Sequence, residues 1–203
     1  SAFHAVLGGA LALYGSLLAR DPAVVPASEE ADEPRDPTAY WLAALDVFET
    51  GDALPPASGG DTSRPAQDWR LAIAWGHTLV SLASHRLSQP SPPSPSSPSG
   101  PPSSPRPYSH RTERGLMPQP TFARRGSLSQ TSTNELLTLA ADQYSRGIMH
   151  MPRPKRAART SYFSPVQLMR IAEGVVGVAE RMEERGERRY WARWADGMLS
   201  QVR

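Results

Sequence analysis

The sequence predicts an all-α chain: antiparallel helical hairpins, forming a short α-solenoid if they stack in series, interrupted by a long disordered insertion rich in proline and serine. Three observations carry that expectation. Apolar residues recur at helical spacing in six separate segments. No segment alternates apolar and polar residues as a half-buried strand does. The stretch from Ser88 to about Arg125 opens SQPSPPSPSSPSGPPSSPRP and holds no apolar run able to enter a core.

Setting that stretch aside leaves about 160 residues able to fold, in blocks of about 87 and 70, enough for one sizeable domain. The division expected is residues 1–87 with three helices, 88–131 as the insertion, and 132–203 with three more, the two helical halves packing as one domain. The hydrophobic share is 39%, below the roughly 45–50% of globular proteins, and the insertion accounts for much of the deficit. Cysteine is absent, which removes disulfides, thiolate zinc sites and cysteine nucleophiles, and fits a reducing compartment. Lys155 is the single lysine among 22 basic residues, as codon bias in a GC-rich genome would produce. The formal charge of +2 conceals an asymmetry. Residues 1–66 carry three arginines against ten acidic side chains, and residues 67–203 carry the other 19 basic against ten acidic. Such halves attract each other, or partners of opposite sign.

The first helix covers Ser1 to Arg20. Phe3, Val6, Leu7, Ala10, Leu11, Tyr14, Leu17 and Leu18 recur at helical spacing, and His4 is the sole ionisable side chain before Arg20. An apolar surface nearly all round predicts a buried helix. Anchoring in a membrane by residues 1–19 is the less favoured alternative, since two adjacent glycines and His4 weaken a span and no basic start marks a signal segment. Asp36-Pro37 fits an N-cap with proline at the first helical position. The second helix then sets Trp41, Ala44, Leu45 and Phe48 on one face, with Gly51 as its stop. Gly59-Gly60 lacks the lysine of a phosphate loop and reads as a turn.

The third helix runs from near Pro65 to about Leu87. Trp69, Ala72, Ile73, Gly76, Leu79, Val80, Ala83 and Leu87 form one stripe; Leu71, Trp75, Thr78 and Leu82 form a second. Two apolar faces place it centrally, between neighbours. Its His77 and His85 have no partner at metal-ligand spacing. Ser132 and Glu135 fit a capping box opening the fourth helix, whose inward side reads Leu136, Leu139, Ala140, Gln143, Tyr144 and Gly147, ending before Pro152 and Pro154. Ser164-Pro165-Val166-Gln167, with Phe163 and Leu168 as a hydrophobic staple, starts the fifth. That helix is expected to reach about Arg185 and bury Leu168, Ala172, Val175, Ala179 and Met182, with Gly186 as a break. The last helix faces inward with Trp191, Trp194, Ala195, Met198 and Val202.

Ala44-x3-Phe48-x2-Gly51-x4-Pro56 and Ala140-x3-Tyr144-x2-Gly147-x4-Pro152 share one spacing. It resembles the second helix of a tetratricopeptide repeat, in which a small residue admits the paired helix and an aromatic fills the groove. The resemblance covers about 26 residues, and the first-helix pattern of that family, Trp-x2-Leu-Gly-x2-Tyr, stands before neither segment. It implies antiparallel helical hairpins and a protein-binding role.

Chemistry concentrates in the insertion. Arg124-Arg125-Gly126-Ser127-Leu128 fits the target of a basophilic kinase, most like that of cyclic-AMP-dependent protein kinase, with Arg124 and Arg125 as recognition residues and Ser127 as the acceptor. Ser91, Ser94, Ser97 and Ser104 each precede proline and suit proline-directed kinases. Pro92-Pro93-Ser94-Pro95 and Pro98-x2-Pro101 suit polyproline-binding domains. Arg153, Lys155, Arg156 and Arg159, with Arg146 nearby, make a basic patch of the nuclear-import type. The five histidines are scattered, and no HExxH, GxSxG or Walker pattern occurs, so neither an enzyme nor a cofactor or metal site is expected. Trp191 and Trp194 lie on a different helical face from Arg189 and Arg193, which points to core packing and disfavours nucleic acid as a partner.

These readings converge on a non-enzymatic, cytoplasmic or nuclear scaffold or adaptor that binds a protein partner and is regulated by phosphorylation of its insertion. The long Pro/Ser tract suggests a eukaryotic source. The alternatives are a nuclear regulatory subunit in transcription or chromatin that uses the basic patch, and a membrane-associated protein anchored by residues 1–19.

Overall fold

A computed structural model describes residues 2–21, 35–54, 68–89, 128, 130–151 and 165–200. Within them lie six helices: α1 (Ala2–Arg20), α2 (Pro37–Ala53), α3 (Trp69–Ser88), α4 (Thr133–His150), α5 (Pro165–Ala179) and α6 (Arg185–Ser200). No strand occurs among the described residues. The protein is all-α.

Local chemistry sets most of the helix starts. The Asp36 carboxylate accepts from the Thr38 N–H at 2.9 Å, and Pro37 occupies a position whose N–H would have no helical partner. Asp68 does the same for the Arg70 N–H at 3.1 Å, so α3 starts at Trp69 rather than at Pro65. The capping box on α4 closes both ways: the Glu135 N–H donates to Ser132 Oγ (3.2 Å), and the Ser132 N–H donates to Glu135 Oε2 (2.9 Å). The Ser132 backbone and hydroxyl bonds favour the ionised carboxylate and hold the Glu135 pKa below its ordinary value.

The helices pair antiparallel. Along α1 and α2, Gly8 faces Phe48 while Gly15 faces Trp41 and the Pro37 carbonyl, and His4 lies over Gly51. Along α3 and α4, Gly76 faces Tyr144, Gly147 faces Ile73, and Arg86 near the end of α3 reaches the Leu128 carbonyl before α4. Both pairs therefore seat an aromatic of the second helix directly on a glycine of the first. A Cβ on Gly76 would lie 2.5 Å from Tyr144 Cε1, and one on Gly8 would overlap the Phe48 ring. Glycine is required there because the partner ring occupies the space of a side chain.

Helix α3 is central. It packs most extensively on α4 and also touches α1, α2 and α5, burying Leu71, Ala72, Ile73, Trp75, Leu79, Val80, Leu82 and Ala83. Thr78, buried among them, satisfies its hydroxyl by donating to the Ala74 carbonyl at 2.9 Å. Phe48 stacks on Trp75 with centroids 6.3 Å apart, and Trp41 meets His85 edge-on at 5.2 Å, so α2 docks against α3. The last hairpin joins through Trp191, whose indole N–H donates to Asn134 Oδ1 at 2.8 Å. One apolar cluster runs through α2 to α6 and takes in Met151 and Met182 from the connections. At the rim, Asp52 and Arg146 form a bidentate pair at 2.6 and 3.2 Å, a direct contact between the acidic and basic parts of the sequence.

Five expectations are corrected. Helix α1 is not buried all round: its inward line is Gly8, Gly15 and Leu18. Gly51 does not end α2, which continues to Ala53; its missing side chain instead makes room for His4 and Leu71. Leu139 faces solvent and Leu137 takes the core position on α4. Helix α5 stops at Ala179 and not near Arg185, because a tight turn (the Arg181 N–H to the Val178 carbonyl, the Met182 N–H to the Ala179 carbonyl) folds Met182 into the core. Gly186 consequently lies inside α6 and breaks nothing. Trp194 is partly buried against the core, while Val202, Ser164 and Phe163 fall outside the described residues.

Candidate protein-interaction surface

Two sides of α1 behave differently. Its inward side is pressed onto α2: the Trp41 indole N–H donates to the Ala12 carbonyl at 3.2 Å, and the Ser16 hydroxyl donates to the same carbonyl at 2.8 Å. Tyr14 meets Tyr40 edge-on with centroids 4.7 Å apart. Its outward side is uncovered. Phe3 is 70% exposed, Val6 74% and Leu13 69%, and Leu7 and Leu17 are exposed as well. No charged side chain occurs from Ala2 to Ala19. The outward side is thus a continuous apolar strip on the surface of the described helices, the kind of surface on which a partner or a membrane docks.

The sequence hints at the inward side without deciding it, because Gly9 is as small as Gly8 and meets nothing within 4 Å. Gly8 and Gly15 stand seven residues apart, and small residues at that spacing mark where a neighbouring helix comes close. Reading apolarity alone hid this, because Phe3, Val6, Leu7 and Leu17 are as apolar as Leu18, which is buried.

A second feature lies where the insertion leaves and re-enters the fold. The Arg86 guanidinium donates to the Leu128 carbonyl at 3.0 Å, and Leu128 packs partly buried against the core. Arg181 donates to the hydroxyl of Ser88 at 3.0 Å and also to that of Ser84. Ser88 and Leu128, near the two ends of the insertion, are therefore both fastened to the fold at the end of α3. The modification sites expected within it (Ser91, Ser94, Ser97, Ser104, Ser127), the recognition residues Arg124 and Arg125, and the basic patch Arg153, Lys155, Arg156 and Arg159 lie outside the described residues. Arg146 is described, and its pairing with Asp52 removes it from that patch.

No known family, curated protein or solved structure matches the chain.

Among the described residues no three His, Asp or Glu side chains come together as metal ligands. His4, His77 and His85 serve packing. His85 lies on Trp41, and His77 Nδ1 sits 3.0 Å from the Tyr144 hydroxyl, which donates to it when the ring carries its proton on Nε2. Burial, and then the nearby Arg170 charge, hold the His77 pKa below its ordinary 6.5; burial pushes that of Tyr144 up. Both are neutral in the folded protein at neutral pH.

A pH dependence follows. Below pH about 6.5 the unfolded chain protonates His77 while the folded protein resists, so the unfolded state binds more protons and stability falls on acidification. The contribution is complete above pH 6.5 and is lost as pH drops below it. Thermal unfolding at pH 7.5, 6.5 and 5.5 should show a declining Tm, and His77→Gln, which keeps an acceptor for Tyr144, should flatten that part of the decline. Identical slopes for both proteins would refute this.

Proposed function

We propose that the chain is a non-enzymatic helical scaffold or adaptor, built from tetratricopeptide-like hairpins, that engages a protein partner through the outward side of α1 and is regulated by phosphorylation of its insertion. The observation that carries the reading is the uncovered apolar strip of Phe3, Val6, Leu7, Leu13 and Leu17. Exposed side chains of this size are costly to leave in water, about 1.5–3 kcal/mol each relative to burial, and a partner's apolar surface recovers that energy.

Support for the repeat comes from the pairing of glycine and aromatic in both hairpins. His4-x2-Leu7-Gly8-x2-Leu11 in α1 and Ala72-x2-Trp75-Gly76-x2-Leu79 in α3 resemble the first-helix pattern of the family in part, at the glycine of each and at Leu7. Support for regulation comes from the place of Ser127 in the sequence, beside Leu128, which Arg86 holds. A phosphate on Ser127 adds about −1.5 to −2 charges one residue along the chain from Leu128, whose carbonyl accepts from the Arg86 guanidinium.

The test uses the full chain as bait. Leu13→Glu should leave Tm unchanged, since the side chain is in solvent, and abolish capture of the partners bound by the unmodified chain. Undiminished capture would refute the α1 interface. Purified cyclic-AMP-dependent kinase with labelled ATP should phosphorylate the chain and not its Ser127→Ala form. A membrane-anchored reading draws on the same helix, which is long and apolar enough to cross a bilayer; release of the protein into the supernatant by carbonate extraction would eliminate it.

A further inference from the structure

We infer that the occupant of the α1 strip is the α1 strip of a second copy, crossing antiparallel about Ala10. This rests on the interaction surface proposed above and names its partner. The argument is one of symmetry. An isologous contact requires that whenever residue i meets residue j, j also meets i. At about 100° per residue, Phe3, Val6, Leu7, Leu13, Tyr14 and Leu17 all lie within about 60° of the direction of Ala10. Their positions are mirror images about it. In an antiparallel pair with its two-fold axis at Ala10, Phe3 meets Leu17, Val6 meets Leu13 on one flank, and Leu7 meets the edge of Tyr14 that Tyr40 leaves uncovered on the other. The smallest side chain of the set sits where two helices approach most closely, and the largest lie toward the ends, where crossing helices diverge.

Charge points the same way. The strip has no charge with which to select a charged partner, and another uncharged apolar strip is its complement. Antiparallel crossing keeps the two Arg20-Asp21 ends apart and opposes the helix dipoles, whereas parallel crossing would bring like ends together. A bilayer is the poorer occupant. The residues following α1 include Asp21, Glu29, Glu30, Asp32, Glu33 and Asp36 with only Arg35 to offset them, and anionic headgroups repel such a segment. Spanning would also require α1 to leave Phe48 and Trp41, whose rings fill its Gly8 and Gly15 notches.

Size sets the strength. A strip about 28 Å long and one helix wide is smaller than the roughly 800 Å² per partner of a standard interface, so a Kd on the order of micromolar is expected. Sedimentation equilibrium of the full chain between about 1 and 200 µM, chosen to bracket that range, should show a reversible monomer–dimer equilibrium. Leu13→Glu should weaken it at least about 100-fold by burying two unpaired carboxylates, with Tm unchanged. Because the chain has no cysteine, Ala10→Cys supplies a single thiol, and mild oxidation should link it into a covalent dimer. Leu17→Cys, which also lies on the strip, should not cross-link, whereas a parallel pair would bring its two thiols together. A monomer at 200 µM would overturn the inference, as would cross-linking through Leu17→Cys or co-flotation of the monomer with phosphatidylcholine–phosphatidylserine vesicles. If the chain is monomeric and Leu13→Glu still abolishes partner capture, the α1 interface stands and only the second copy is refuted; loss of neither property refutes both.

Discussion

Gly76→Ala is expected to destabilise the protein by about 2 kcal/mol, although alanine is intrinsically the better helix former by about 1 kcal/mol. The added methyl would lie 2.5, 2.7 and 2.9 Å from Tyr144 Cε1, Cδ1 and Cζ. The ring has little freedom to yield. It is fully buried, its hydroxyl is bonded to His77, and Trp194 stands beyond it at 6.4 Å between centroids. The clash therefore spreads α3 and α4 along the most extensive helix contact in the fold. Gly8→Ala should act similarly through Phe48. Gly9→Ala is the matched control: a Cβ there meets nothing within 4 Å, so only the helix propensity changes and the protein should gain up to about 1 kcal/mol. Urea unfolding of the three variants decides the matter. Equal effects at positions 8 and 9 would mean that α1 and α2 do not approach as described.

The second large effect is Trp191→Ala, expected to cost about 3–5 kcal/mol, a large share of the 5–15 kcal/mol typical of a domain. Trp191 is 1% exposed and is the side chain through which α6 reaches α4, by its ring and by the 2.8 Å bond to Asn134. Trp191→Phe should recover most of the loss by restoring apolar volume, and the remainder, about 1 kcal/mol, measures the indole–amide bond. Tryptophan fluorescence and circular dichroism should then lose their common transition in the alanine variant if α6 detaches before the rest unfolds. An alanine variant with unchanged stability would show α6 to be peripheral.

Helix type and number were legible because each segment carries its own periodicity and most carry their own caps. Asp36-Pro37, Asp68 and the Ser132/Glu135 box act within four residues of sequence, so local reading finds them or comes close. Boundaries decided from a distance were missed. Gly51 resembles a terminator by sequence, yet it is retained inside α2 for the sake of His4 and Leu71. Ala179 ends α5 because Met182 must turn into a core that other helices supply. The contacts of Gly8 and Gly76 are illegible for a related reason. Residues 21–36 and 89–132 separate them from Phe48 and Tyr144, so the glycine and its ring are 40 and 68 positions apart in sequence while touching in space.

The sequence by itself determined an all-α chain with the acidic and basic residues segregated, the position of the Pro/Ser insertion, and the kinase-type motif at Ser127. Each depends on composition or on neighbours within a helical turn or two. Tertiary structure alone decided which side of α1 is covered. Every side of that helix is apolar enough to be buried, so hydrophobicity cannot choose among them; the choice falls to the two notches at Gly8 and Gly15, into which Phe48 and Trp41 fit. Once those rings are seated, Phe3, Val6, Leu7, Leu13 and Leu17 face outward, and a helix whose sequence predicts a core becomes the broadest exposed apolar strip among the described residues.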